Sequence, residues 1–328
     1  AYKGSVLYCC SDGGLYKSTD NAVTWSDLNA NVSTLQYQSA DYDPTDISKL
    51  YGGTQDNNKQ TSINSGLDWL QRTTGDGGYT IVDPVNTNYV YGQYVNGSIQ
   101  RSNNYGASFT NITPSGSTGG LFYNPYEMSP GNNNIVVFGR ADVWKTSRVQ
   151  TASSSSGWYQ IATTAIIGGS VSAIGISATD TSKIFIGTSN GRILVTTNNG
   201  LNWTDSSLIG INISAIEYSG SDLYAGTYSN GIYHSTSYGA NWVSVNKGFT
   251  ISNVRIFLLS GTDLFAGTSG GGVYHTTDNG SNWSAENDGL PYTIVLSFTS
   301  EGSNIYAGTH GAGVFVTNDN GVSWTQRN

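Results

Sequence analysis

The chain repeats itself, and the period of that repeat constrains its fold more than any other feature. Asp222-Leu223-Tyr224-Ala225-Gly226-Thr227, Asp263-Leu264-Phe265-Ala266-Gly267-Thr268 and Asn304-Ile305-Tyr306-Ala307-Gly308-Thr309 recur at 41-residue spacing. Each is followed by a second matching string, as in Gly231-Ile232-Tyr233-His234-Ser235-Thr236 and Gly272-Val273-Tyr274-His275-Thr276-Thr277, which leads through a turn to Trp242, Trp283 or Trp324. Upstream the same plan runs from Phe185-Ile186-Gly187-Thr188 to Trp203, from Tyr51-Gly52-Gly53-Thr54 to Trp69, and from Leu15-Tyr16-Lys17-Ser18 to Trp25. Weaker copies run from Tyr91-Gly92 to Phe109 and from Phe138-Gly139 through Val143-Trp144 to Trp158.

Eight copies result, at about 5–29, 35–73, 79–114, 120–164, 171–208, 213–249, 254–290 and 294–328. Each reads as four short strands separated by Gly, Asn, Asp or Ser turns; in the sixth copy the strands fall near 213–218, 222–227, 231–236 and 241–246. Four strands in a unit of about 40–50 residues specify radially arranged sheets. Sheets stacked on both faces also explain why Leu223, Tyr224 and Ala225 run consecutively apolar. The expectation is an all-β propeller of about eight four-stranded blades, one domain over 1–328. Residues 5–10 align with the second strand of a repeat, so the first blade is expected to be incomplete. The inner-strand turns of the first half carry Asp43-Pro44, Asp83-Pro84 and Ser129-Pro130, where the last three copies have shorter Gly or Ser turns.

Composition agrees and narrows the partners. Charged residues are 11%, against about 25% in ordinary soluble domains, with 42 Gly and 22 Tyr, a balance that suits strands and tight turns over helices. A net charge of −8 without a basic block argues against nucleic acid. No apolar stretch approaches the roughly 20 residues needed to cross a bilayer, which argues against membrane insertion. The chain begins at Ala1, compatible with a removed leader, and we expect an extracellular or cell-surface location. Cys9 and Cys10 are adjacent on a strand, one per face, and read as thiols.

The turn between third and fourth strands carries the most specific motif. Thr276-Thr277-Asp278-Asn279-Gly280-Ser281-Asn282-Trp283 and Thr317-Asn318-Asp319-Asn320-Gly321-Val322-Ser323-Trp324 fit Ser/Thr-x-Asp-x-Gly-x-x-Trp; Ser18, Asp20 and Trp25 fit with Ala22 at the Gly position. Copies ending at Trp69 and Trp203 carry Asn for Asp, and the copy ending at Trp242 carries Ser. This pattern resembles the Asp-box (BNR) hairpin of sialidases, sortilin-type receptors, xyloglucan-degrading glycosidases and photosystem-assembly propellers, and the resemblance spans essentially the whole chain. Its residues are structural: the short side chain caps backbone N–H groups, Gly supplies positive φ, and Trp packs back over the hairpin. None of these turns has the Glu that closes a calcium loop, so no metal and no cofactor is expected.

In a blade numbered outward from the axis, the second-to-third turns and the inter-blade loops share one face, where propellers usually bind ligands. That face is expected to hold Gln55, Tyr94, Arg140, Tyr228, Tyr292 and His310, with Asp56, Asp76, Asp142 and Glu286 as the only catalytic candidates. Arg140 reads as filling the slot held by Gly53, Gly187, Gly226, Gly267 and Gly308, and Gln93 the same slot in copy three. The resemblance to sialidases implies three substrate-binding Arg, yet only Arg255 lies clearly on an inner strand, so that activity is not expected. Gly75-Asp76-Gly77-Gly78-Tyr79 resembles the xyloglucanase pattern, but a glycosidase needs a second carboxylate about 5–10 Å away and nothing in sequence selects one. His234 and His275 recur by duplication and do not form a zinc pattern. The chain thus reads as a secreted or cell-surface, non-catalytic propeller acting through a protein partner or self-association. The alternative is a carbohydrate-active one, either a lectin or a glycoside hydrolase.

Overall fold

The structure is a computed structural model and describes all residues except 1, 4, 5, 12, 13, 21, 25, 28–36, 65–68, 207, 209, 292, 293, 311, 312, 327 and 328. Trp25 and Tyr292 therefore lie outside the described residues. Each repeat forms one four-stranded antiparallel sheet with its strands side by side in chain order, eight sheets in all among the described residues. Blade 6 is representative: Ile213–Ser219, Asp222–Thr227, Ile232–Ser235 and Val243–Ser244 run from the axis outward. The first blade is abbreviated. Its inner strand is the pair Tyr2–Lys3, against seven residues in blade 2, Tyr37–Asp43. At the axis the inner strand of blade 8, Val295–Glu301, meets that of blade 2, so seven complete blades surround the channel. No helix among the described residues is long and apolar enough to cross a membrane.

Neighbouring blades from 4 to 8 interlock through a glycine on the second strand. A Cβ added at Gly139, Gly187 or Gly226 would lie 2.4, 2.5 or 2.6 Å from Val171, Ile213 or Val254 of the next blade. Those three side chains are fully buried, each worth about 1.5–3 kcal/mol by removal from water. A hydroxyl fixes the last two of these joints at the axis: Ser172 Oγ donates to the Ile213 carbonyl at 2.5 Å and Ser214 Oγ to that of Val254 at 2.6 Å. Next along the second strand, Thr54, Thr227 and Thr268 are buried and donate across their own turns to the carbonyls of Asn58, Gly231 and Gly272.

The strand register corrects one expectation. Gly139 pairs with Val143 as Gly226 pairs with Ile232, so Gly139 fills the glycine slot and Arg140 stands where blades 2 and 5 to 8 have Thr. Gln93 pairs with Ile99 and does occupy the glycine slot.

The third-to-fourth-strand hairpins close as the sequence pattern requires. Thr276 Oγ1 donates to Asp278 Oδ1 at 2.8 Å and accepts the Gly280 N–H at 3.1 Å, while Asp278 accepts the Asn282 N–H at 2.8 Å. Asn279 and Gly280 both have positive φ, 57° and 84°. Ser18 and Asp20 build the same cage, with Asp20 Oδ1 accepting the Thr24 N–H at 2.9 Å. The tryptophans reach further than expected. Trp203, Trp283 and Trp324 donate Nε1–H to the carbonyls of Ile161, Val245 and Glu286 in the preceding blade, at 2.9, 2.8 and 3.0 Å, so each ring straps two blades at the outer rim. Trp242 packs into the core between blades 5 and 6 without a partner for its Nε1 among the described residues.

Candidate functional site

On the loop face the predicted residues converge only at blades 2 to 4. Asp56, on the second-to-third turn of blade 2, donates its N–H to Asp76 Oδ1 at 2.9 Å, and the Asp76 carbonyl accepts the Val95 N–H of blade 3 at 3.2 Å. Asp76 thereby braces the turns of two blades against the loop that joins them. Gly75 is required here: with φ +88°, its Cβ would lie 2.8 Å from the Tyr94 ring. Asn96 N–H bonds the Phe122 carbonyl at 3.0 Å, and the Phe122 and Tyr123 rings meet edge-on at 4.8 Å. Burial, with the charges of Asp76 and Asp56, pushes the Tyr123 phenol up to about 12. The result is an aromatic patch, with Tyr94 37% and Phe122 50% exposed, around a pair of carboxylates. Gln55 is half-buried at its edge.

Arg140 and Gln93 support this patch from beneath. The Arg140 guanidinium donates through Nη1 to the Ser117 carbonyl at 3.0 Å and through Nη2 to the Asn96 carbonyl at 3.0 Å, tying the turn of blade 3 to the loop leading into blade 4. Gln93 donates to the carbonyl of fully buried Asn124. Asp142 is buried as well, accepting from Gln160 Nε2 at 3.1 Å and the Thr118 N–H at 3.4 Å. Glu286 stands elsewhere, at the outer rim between blades 7 and 8, where it accepts Ser284 Oγ at 2.7 Å. Tyr228 and His310 are exposed on the turns of blades 6 and 8, apart from the cluster. Of the four candidate carboxylates, then, Asp56 and Asp76 sit together on one joint, and neither Asp142 nor Glu286 faces them across a cleft.

The opposite face holds a site that sequence reasoning missed. The turns Asp43-Pro44, Asp83-Pro84 and Ser129-Pro130 converge around a cavity of about 490 Å³. Asp41, Ile81, Glu127 and Met128 also line it, with Thr299 from blade 8. Beyond the cavity, the Glu217 charge adds to burial in raising the Glu127 carboxyl, and Arg255 acts on Tyr79. The signal was present in the sequence as the three proline turns, but only the closed ring shows that they share a wall.

No protein-family model matches the chain, and no curated protein does. Among solved structures, YCF48 bound to a D1 peptide aligns with a TM-score of 0.62 at 13% identity, over 87% of this chain and 93% of that one. The computationally designed protein Ika8 aligns at 0.60 and 13% identity, over 96% of this chain and 94% of its own. A GH74 enzyme of Niastella koreensis aligns over 99% of this chain and 74% of its own at 14% identity, with a TM-score of 0.49 that bears no functional weight. At these identities the likeness is one of fold.

Proposed function

We propose that the chain is a non-catalytic propeller of the Asp-box class, secreted or surface-exposed, that binds a protein segment on its loop face at blades 2 to 4. The observation that carries this reading is how the candidate catalytic groups are used: Asp76 braces two turns, Asp142 is buried against Gln160, and Glu286 is on the outer rim. A glycosidase needs a carboxylate free to protonate the leaving group and a second one opposed to it. What the face does offer is Tyr94 and Phe122, large rings on a braced backbone, the side-chain type enriched where proteins meet. The hairpin cages at Ser18, Thr276 and Thr317 support the Asp-box assignment. YCF48, of similar fold, is a propeller seen with a peptide bound. Glycan binding is the second reading, favoured by aromatic rings beside two carboxylates.

The test is selection of a displayed random-peptide library on the wild type, counter-selected on a Tyr94→Ser, Phe122→Ser double variant, alongside glycan-array and polysaccharide-hydrolysis assays. Peptides that bind the wild type alone support the proposal. Hydrolysis that disappears in Asp76→Asn, or glycan binding that disappears in the double variant, would replace it.

A further inference from the structure

The cavity at the proline turns lies on the face away from the patch and has a chemistry of its own. Two carboxylates, of Asp41 and Glu127, line it, and among the described residues no lysine, arginine or histidine does. Asp41 is braced by the N–H groups of Tyr42 at 2.9 Å and Val82 at 2.7 Å. Glu127 accepts no hydrogen bond among the described residues. Ser129, 3% exposed, also lines the cavity, and its Oγ has no partner among the described residues. The remaining wall is largely apolar, with Ile81, Val82, Val85 and Met128. Two carboxyl groups and a buried hydroxyl without a partner among the described residues, beside hydrocarbon in a half-open cavity, make a poor metal site, since hard cations take six or more oxygens. They match an organic cation, and the volume falls within the range of small-molecule sites.

We propose that this cavity binds an alkylammonium group, a primary amine on a short aliphatic body, with Glu127 and Asp41 as counter-charge and Ser129 Oγ as a hydrogen-bond acceptor. The aliphatic body lies along Val85 and Met128. Charge is balanced by proton release. Burial, and Glu217 across the axis, push the Glu127 carboxyl up to about 8, so at neutral pH it is mostly protonated when the cavity is empty. An ammonium favours the carboxylate, so the acid loses its proton on binding and affinity rises with pH until the carboxyl is ionised unaided. The groups facing Glu127 from neighbouring strands are Asp41, Tyr79 and Glu217. Arg255 acts on Tyr79 and leaves Glu127 without a counter-ion.

Calorimetry with cadaverine on the intact chain, at about pH 6 and about pH 9 and in two buffers of different ionisation enthalpy, tests this. The expected result is binding that tightens up to about a hundredfold over that range, with protons passed to the buffer at the lower pH, and no binding of pentanediol. Glu127→Gln should weaken binding about tenfold or more and leave only the smaller release at about pH 6 from Asp41, whose carboxyl burial pushes up to about 6. Val85→Trp at the exposed mouth should block binding with both carboxylates intact. Equal binding of the diol, undiminished binding in Glu127→Gln, or no binding to the wild type overturns the proposal. An Nα-acetyl-lysine amide that binds as well as cadaverine identifies a protein side chain as the source; cadaverine alone identifies a free amine.

Discussion

The joint between blades 6 and 7 and the joint between blades 3 and 4 solve one packing problem with opposite chemistry. In the first, Val254 fills the space over Gly226, and Ser214 bonds across at the axis. In the second, the glycine slot holds Gln93, whose amide reaches the Asn124 carbonyl, and the polar theme spreads outward. Lys59, 2% exposed, lies between blades 2 and 3 with Nζ 2.8 Å from Gln100 Oε1 and 3.0 Å from Asn58 Oδ1, in room left by Gly92. Arg101 donates to the Val149 and Ala152 carbonyls of blade 4, and Lys145 to the Thr181 carbonyl of blade 5. Where the repeat is regular, the blades are joined by hydrocarbon and the faces are plain. Where it departs, buried polar side chains join the blades, and both candidate sites lie there.

If that contrast is real, truncating an apolar joint should cost most. Ile213→Ala removes a fully buried side chain from over Gly187 and should lower stability by about 3 kcal/mol, read from urea unfolding. Gln93→Leu should cost less, about 1–2 kcal/mol, because it leaves the buried Asn124 carbonyl without its donor while adding apolar contact. It should also speed hydrogen exchange at Leu121, whose N–H bonds the Asn124 side chain. Equal costs for the two variants would mean that the joints are energetically alike and the division into halves is only chemical.

Much of this plan was legible in the sequence, for a physical reason: a strand buried on both faces cannot alternate, so the apolar run Leu223-Tyr224-Ala225 marks a second strand directly. The inner and second strands of blade 6 match their expected bounds to within a residue. Its outer strand shrinks to Val243–Ser244 because the hairpin cage holds Gly239 and Asn241 through the hydroxyls of Ser235 and Ser237. Arg140 was misplaced because blade 4 turns from Gly139 to Val143 through a shorter loop than the one between Gly226 and Ile232. Glu286 and Asp142 could not be ranked in advance, since the outer rim, the interior and the loop face differ in space and not in residue type. The cavity escaped notice because its wall is assembled from turns some 40 residues apart.

The polar joints make a pH prediction that the apolar ones do not. Burial pushes the Lys59 ammonium down to about 7 from 10.5 in a free side chain. Between those values the unfolded chain binds a proton that the folded one does not, so stability rises with pH across that window and is flat below about 7 on this account. The limiting slope is about 1.4 kcal/mol per pH unit. Lys59→Met should remove most of the rise; Lys145, also lowered by burial, leaves a residue of it. Urea midpoints of both proteins from neutral pH upward give the comparison. An unchanged slope would show that Lys59 stays solvated and that the joint is wetter than its geometry.

The smallest effect is expected where the two halves agree, in the exposed hairpins. Asp319 is held down to about 2 by the Ser323 and Thr317 hydroxyls and the Ser323 N–H. Asn104 in blade 3 accepts the Ser108 N–H at 3.0 Å in the same geometry, and Asn198 in blade 5 accepts that of Asn202 at 2.9 Å, so one oxygen in the right place closes the turn and the charge is incidental. Asp319→Asn should therefore leave the urea midpoint at neutral pH almost unchanged. The two proteins should diverge only in acid. The wild-type contribution is present above the ordinary carboxylate range and is lost as pH falls through about 2, whereas the amide has no such dependence. A neutral-pH loss in Asp319→Asn as large as that in Gln93→Leu would mean that the charge itself holds the hairpin, and that blades 3 and 5, with Asn at this position, are the weaker ones.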